Sequence, residues 1–71
     1  MRYYLVYKTT NMVNGKYYIG SHETENKFDS YLGSGTILAK AIKKYGKSVF
    51  VRHILFECKS RDAMYKKNMN L

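Results

Sequence analysis

A chain of 71 residues leaves room for one domain, residues 1–71, and a domain of that size buries only about 60% of the surface exposed by its unfolded chain. Cys58 stands alone, so an internal disulfide and a Cys/His zinc cluster are both excluded, and no run is long or apolar enough to span a membrane. Thirteen Lys+Arg against five Asp+Glu give a formal charge of +8, which suits either a polyanionic partner or a solvated basic surface.

Tyr3 to Lys8 is aromatic and β-branched and predicts a strand that begins almost at the first residue, leaving no room for a signal peptide. Lys16 to Ser21 predicts a second strand, and Asn14-Gly15 between them suits the positive φ angles of a hairpin turn. Thr9 to Val13 is longer than a minimal hairpin needs, so a wider turn or bulge is expected. His22 to Ser34 is polar, carries Glu23, Glu25 and Asp29, and reads as a loop with one irregular helical turn around Asn26 to Tyr31.

A helix follows, capped by Ser34 or Thr36 and stopped by Gly46. Ile37, Leu38, Ala41, Ile42 and Tyr45 recur at helical spacing, with Lys40, Lys43, Lys44 and Lys47 on the other side or near the C-terminus. Val49 to Cys58 reads as apolar on both faces apart from Arg52 and His53 and predicts a third strand covered on each side, in which His53 is structural and Cys58 buried and inert. Ser60 caps a last helix from about Arg61 to Asn68. The expected fold is α+β, a small three-stranded antiparallel or mixed sheet flanked by helices in the order β-β-α-β-α. Tyr3, Tyr4 and Tyr45 are expected as half-buried packing residues. Gly33 and Gly35 lack the strand-then-helix setting of a phosphate loop.

Leu5-Val6-Tyr7 and Tyr18-Ile19-Gly20 lie on adjacent strands, with Asn14-Gly15-Lys16 before the second and Ser21-His22 after it. Downstream come Tyr31-Leu32-Gly33-Ser34-Gly35, Ala41-Ile42-Lys43-Lys44-Tyr45-Gly46 and Phe50. This ordered set, over roughly residues 3 to 65, resembles the GIY-YIG nuclease family, in the phage mobile-type (homing-endonuclease-related) branch. The resemblance implies DNA as the partner, a cytoplasmic location in a bacterial or phage-infected cell and, in an active member, hydrolysis of a phosphodiester with Mg²⁺ or Mn²⁺; without activity no cofactor is needed.

It also implies roles for particular residues. Tyr7 would be the general base or water-orienting group, Tyr18 would position it, and Gly20 would permit close approach. The family's arginine falls at Phe28, leaving Lys27 as a candidate for contact with phosphate, although lysine lacks the two-pronged geometry of arginine, and His22 as a candidate for touching phosphate or assisting proton transfer. The family's metal-binding glutamate falls at Asn68, one helical turn beyond Met64, where an amide brings no negative charge, so no residue is assigned to metal. Because the chain stops at Leu71, helices of larger members are expected to be missing. Lys40, Lys43, Lys44, Lys47 and Arg52 are the candidate nucleic-acid contacts. Three functions remain open: a DNA-binding member with weakened or lost cleavage, an active endonuclease, and a small phage protein that binds and inhibits a host protein. A thin core leaves homodimerisation open as well.

Overall fold

The computed structural model describes residues 1–69. The chain forms β1 (Tyr3–Asn11), β2 (Tyr17–Thr24), α1 (Thr36–Tyr45), a single 3₁₀ turn at Lys47–Val49, β3 (Phe50–Cys58) and α2 (Arg61–Met69). The fold is therefore the expected α+β order. The sheet is antiparallel throughout, with strand order β2-β1-β3.

Both hairpin strands run past their expected ends, because the ladder from Tyr3↔Thr24 to Thr10↔Tyr17 takes in the polar residues beyond each aromatic run. Asn11 closes the ladder and starts the turn. Its N–H donates to the Lys16 carbonyl at 2.8 Å, its own carbonyl accepts from Gly15 N–H at 2.8 Å, and its Oδ1 accepts from Val13 N–H at 2.9 Å. Gly15 takes φ 76°, a region that side chains with a Cβ rarely adopt. The wide turn is thus held by one buried asparagine.

Paired residues share a face of the sheet. Leu5, Tyr7, Thr9 and Asn11 rise on one side with Tyr18, Gly20 and His22 of β2 and with Phe50, Arg52 and Ile54 of β3. Tyr4, Val6, Lys8, Glu23 and Phe56 rise on the other. A bulge between Val6 and Tyr7 leaves Leu55 as the extra residue of β3. Central β1 supplies most of the core: Leu5 and Val6, on opposite faces, are both fully buried.

Helix α2 covers the Val6 side. Its Ser60 cap is as expected, with Ala63 N–H donating to Ser60 Oγ at 3.2 Å. Met64 is buried, Arg61 reaches Glu23 at 2.9 Å, and Lys67 lies 4.9 Å from the centre of the Phe56 ring. The segment from residue 25 to 35, together with Leu38 of α1, covers the Tyr7 side.

Four local expectations are corrected. Strand β3 is an edge strand, and Val51, His53, Leu55, Phe56 and Glu57 are exposed. A three-stranded sheet has only one central strand, so an apolar run can still lie at the edge. Cys58 on this strand is half-buried. Helix α1 begins at Gly35, with φ 111° and no side-chain cap, in place of Ser34 or Thr36. Gly46 does end the helix, at φ 89° with its N–H on the Ile42 carbonyl. Of the apolar stripe only Leu38 is fully buried, and Ile37 is 74% exposed. Around residues 26 to 29 the chain makes one turn, with Asp29 N–H on the Asn26 carbonyl at 3.1 Å, and no helix.

Met64 is the one fully buried side chain that α2 contributes. Met64→Ala should lower unfolding stability by about 2–4 kcal/mol, read as a shift of the urea midpoint. A shift below about 0.5 kcal/mol would mean that α2 contributes little to the core.

Candidate functional site

Tyr7 lies at the middle of the sheet, directly opposite Gly20 on β2. A Cβ on Gly20 would run into the Tyr7 hydroxyl and stand 2.7 Å from its Cζ. Gly33 approaches from the covering segment, where a Cβ would stand 2.9 Å from the same hydroxyl. The phenol thus occupies a slot between two glycines, and only 4% of the residue is exposed. Burial first, and then the neighbouring Tyr31 phenol, push the Tyr7 hydroxyl up to about 12, against smaller pulls from Arg52 and the Ser34 backbone. At neutral pH Tyr7 is therefore a neutral phenol, a donor or orienting group.

Tyr31 links Tyr7 to a polar network. Its ring meets Tyr7 edge-on, with centroids 6.0 Å apart and planes at 88°, and stacks on His22 at 3.8 Å and 9°. His22 Nε2 donates to Asp29 Oδ2 at 2.9 Å, and Thr24 Oγ1 donates to the same oxygen at 2.8 Å. Asp29 Oδ1 accepts from Arg52 Nη1 at 2.9 Å and from Tyr31 N–H at 3.2 Å. Arg52 further donates to the carbonyls of Tyr31 at 2.8 Å, Lys27 at 2.8 Å and Asp29 at 3.4 Å. Thr9 Oγ1 donates to the Leu32 carbonyl and fastens the far end of the segment.

Partial burial opposes ionisation of Asp29. The hydrogen bonds from His22, Thr24, the Tyr31 amide and Arg52 outweigh it and hold the carboxyl well below the usual carboxylate range. A carboxylate offers about four lone-pair directions, and four donors fill them here. Glu57 also rises on this side of the sheet but pairs with Lys27 at 3.1 Å. Among the described residues no three His, Cys, Asp or Glu side chains group together as metal ligands. The donor set on the tyrosine face does not fit a divalent cation.

The structure brings Tyr7, Gly20 and His22 into one cluster, with Tyr18 on the same face beside Thr9. Lys27 lies over the Tyr3 ring at 5.4 Å and beside Phe28 at 5.5 Å, its charge engaged by Glu57. Arg52, an expected nucleic-acid contact, has a side chain only 8% exposed and commits its Nη donors to the covering segment. Lys40, Lys43, Lys44 and Lys47 are exposed on α1 and just beyond it, Lys44 over the Tyr45 ring at 5.3 Å. Asn68 follows Met64 by one turn on α2, which packs on the other face of the sheet, and is half-buried.

Asp29, Tyr31 and Gly33 build this cluster, and sequence reasoning did not single them out as site residues. A usable signal did exist. A lone arginine in an apolar strand needs a partner, and the acids of the 22–34 segment were the available ones.

The chain is 52% identical over 63 residues to a protein of Enterobacteria phage T4 named "Putative endonuclease segE", covering 89% of this chain and 31% of that protein. It is 49% identical over 63 residues to "Putative endonuclease segD" of the same phage, covering 89% and 28%. "Endonuclease segA", also from T4, is 52% identical over 54 residues, covering 76% and 24%. The chain therefore spans less than a third of the length of each of these relatives. No protein-family model matches the chain, and no solved structure matches it.

Two outcomes test the site. Asp29→Asn should cost about 1–3 kcal/mol at pH 7, because it leaves the buried Arg52 guanidinium without its countercharge. The native carboxyl has a depressed pKa, so its contribution is full above the ordinary carboxylate range and fades as pH falls below about 4. Melts from pH 7 to pH 2 should therefore show the gap between the two proteins narrowing in acid; a constant gap would refute the linkage. Gly20→Ala should cost about 1–3 kcal/mol by forcing Tyr7 from its slot, and Tyr7→Phe in the same background, having no hydroxyl to displace, should recover part of that loss in chemical denaturation.

Proposed function

We propose that this chain is a GIY-YIG-type domain that binds DNA and whose phosphodiester cleavage is weakened or lost. Similarity to T4 proteins named as endonucleases, over nine-tenths of the chain for segE, supports the nuclease ancestry. The tyrosine hairpin and the +8 charge agree with it. The loss of cleavage rests on one observation: both carboxylates on the tyrosine face are engaged by protein groups, Asp29 by four donors and Glu57 by Lys27.

The residues present can still position a phosphate. Tyr7 is a neutral donor at the centre of the face, His22 is a half-buried imidazole next to it, and the exposed lysines of α1 supply long-range attraction. Tyr7 itself is ill suited to take a proton from water, which leaves His22 as the other candidate on the face. A phenol pushed up to about 12 resists deprotonation at neutral pH. Asn68, at the position of the family's glutamate, adds no charge and sits on the helix across the sheet. The names of the relatives favour a second reading, an active endonuclease dependent on Mg²⁺ or Mn²⁺.

Gel-shift titrations separate binding from chemistry. The chain should bind duplex DNA with affinity falling on the order of a hundredfold between 50 and 200 mM salt, as contact with about four phosphates requires. It should leave supercoiled plasmid intact in Mg²⁺ or Mn²⁺. Nicking that vanishes in Tyr7→Phe would establish the active reading instead. Nicking gained in Asn68→Glu would overturn this reading, in which Asn68 lies across the sheet and the carboxylates of the tyrosine face are engaged.

A further inference from the structure

Strand β3 has a neighbouring strand on one side only. Its residues, Phe50–Cys58, include no lysine and no proline, the residue types that commonly blunt a free edge. The free side is open, since a groove of about 580 Å³ lies along it, between Val51 and His53 and the covering segment. Val51, Leu55 and Phe56 of this strand are all exposed.

The bulge says which strand fits this edge. Leu55 is the extra residue, with nothing opposite it on β1. It reverses the alternation along the strand. Arg52 and Ile54 before it rise on the tyrosine side, as does Glu57 after it, while Val51, His53, Phe56 and Cys58 rise on the side of α2. A straight strand added to the free edge would leave Leu55 unpaired again, which is how a bulge deters chance pairing. A second β3, run antiparallel about a two-fold axis at the bulge, leaves no such gap. Ile54 then faces Leu55 of the second copy, and Val51 faces Cys58, Arg52 faces Glu57 and His53 faces Phe56. Each of those three flanking pairs shares one face of the joint sheet, as cross-strand pairs must.

The charges agree with this register. Arg52 and Glu57 are opposite in sign, and the two-fold axis makes their contact twice. Glu57 keeps its bond to Lys27 through Oε2, because a carboxylate has about four acceptor sites and that bond fills one. No like charges face one another. A foreign strand would need both the bulge and this charge order, and a second copy has them by identity.

We infer that two copies of this chain join antiparallel through the free edges of β3, about a two-fold axis at Ile54 and Leu55. The product is one continuous sheet in the order β2-β1-β3-β3-β1-β2. Both tyrosine faces lie on the same side of it, with the two Tyr7 backbones about 14 Å apart, three strand spacings. This inference stands apart from the DNA-binding reading.

The +8 charge of each copy opposes association, so the test is run at about 0.15 M salt, where the Debye length is about 8 Å. Sedimentation equilibrium of the whole chain should give twice the monomer mass of 8.4 kDa. Glu57→Gln alters an exposed side chain and should melt with wild type, yet weaken the dimer about 2- to 30-fold, the range for losing two cross-strand ion pairs. Val51→Cys should form a disulfide with the native Cys58 of the second copy under a mild oxidant, seen as a covalent dimer on a non-reducing gel. Positions 51 and 58 of one strand are roughly 23 Å apart, so no internal bond competes. Wild type and the double variant Val51→Cys/Cys58→Ser should not cross-link. A chain that sediments as a monomer would overturn the inference. So would a dimer in which Val51→Cys cross-links no better than the double variant, since another surface would then hold it.

Discussion

The ion pair between Arg52 and Asp29 joins the two halves of this molecule. Arg52 comes from the edge strand and Asp29 from a segment with no regular structure, and their closest approach is 2.9 Å. A charged side chain that is only 8% exposed is tolerable when its donors are met, and here they meet one carboxylate and three backbone carbonyls. Those carbonyls belong to a segment without a ladder of its own. The arginine therefore does for residues 27–31 what a neighbouring strand does for β1.

From that pair the arrangement of the tyrosine face follows. Asp29 also receives His22 and Thr24 from β2, so the segment is tied to both edge strands of the sheet. Tyr31, two residues on, is thereby set between the His22 ring and Tyr7. Gly33 then passes close over the Tyr7 hydroxyl, where no side chain would fit. The same ties that shape the face also fill the lone pairs of Asp29.

The division of labour across the sheet has a similar logic. Residues that alternate along β1 serve two different layers: Val6 meets the side covered by α2, and Tyr7 meets the covering segment. In a domain this small each layer is one element thick. Edge residues such as Val51 and Leu55 consequently stay exposed, and the basic helix α1 is attached through a single buried leucine.

Much of this was legible from residue types. The aromatic and β-branched make-up of the two hairpin segments, Asn14-Gly15 between them, Gly46 after a helical stripe and Ser60 before the last helix each act through local backbone geometry, and local geometry is what a linear pattern encodes. The pairing of Tyr7 with Gly20 was implicit in the hairpin. Other features were decided only in three dimensions. That β3 is an edge strand depends on which neighbour it finds. That Arg52 is buried, when its charge reads as a surface contact, depends on four acceptors brought from 21 to 25 residues away. That Tyr31 rests between Tyr7 and His22 depends in turn on Asp29. The sequence by itself determined the strands, the helices and the tyrosine pair, because each needs only near neighbours. Tertiary structure decided which charges are free to act, because burial and hydrogen-bond saturation belong to the assembled whole.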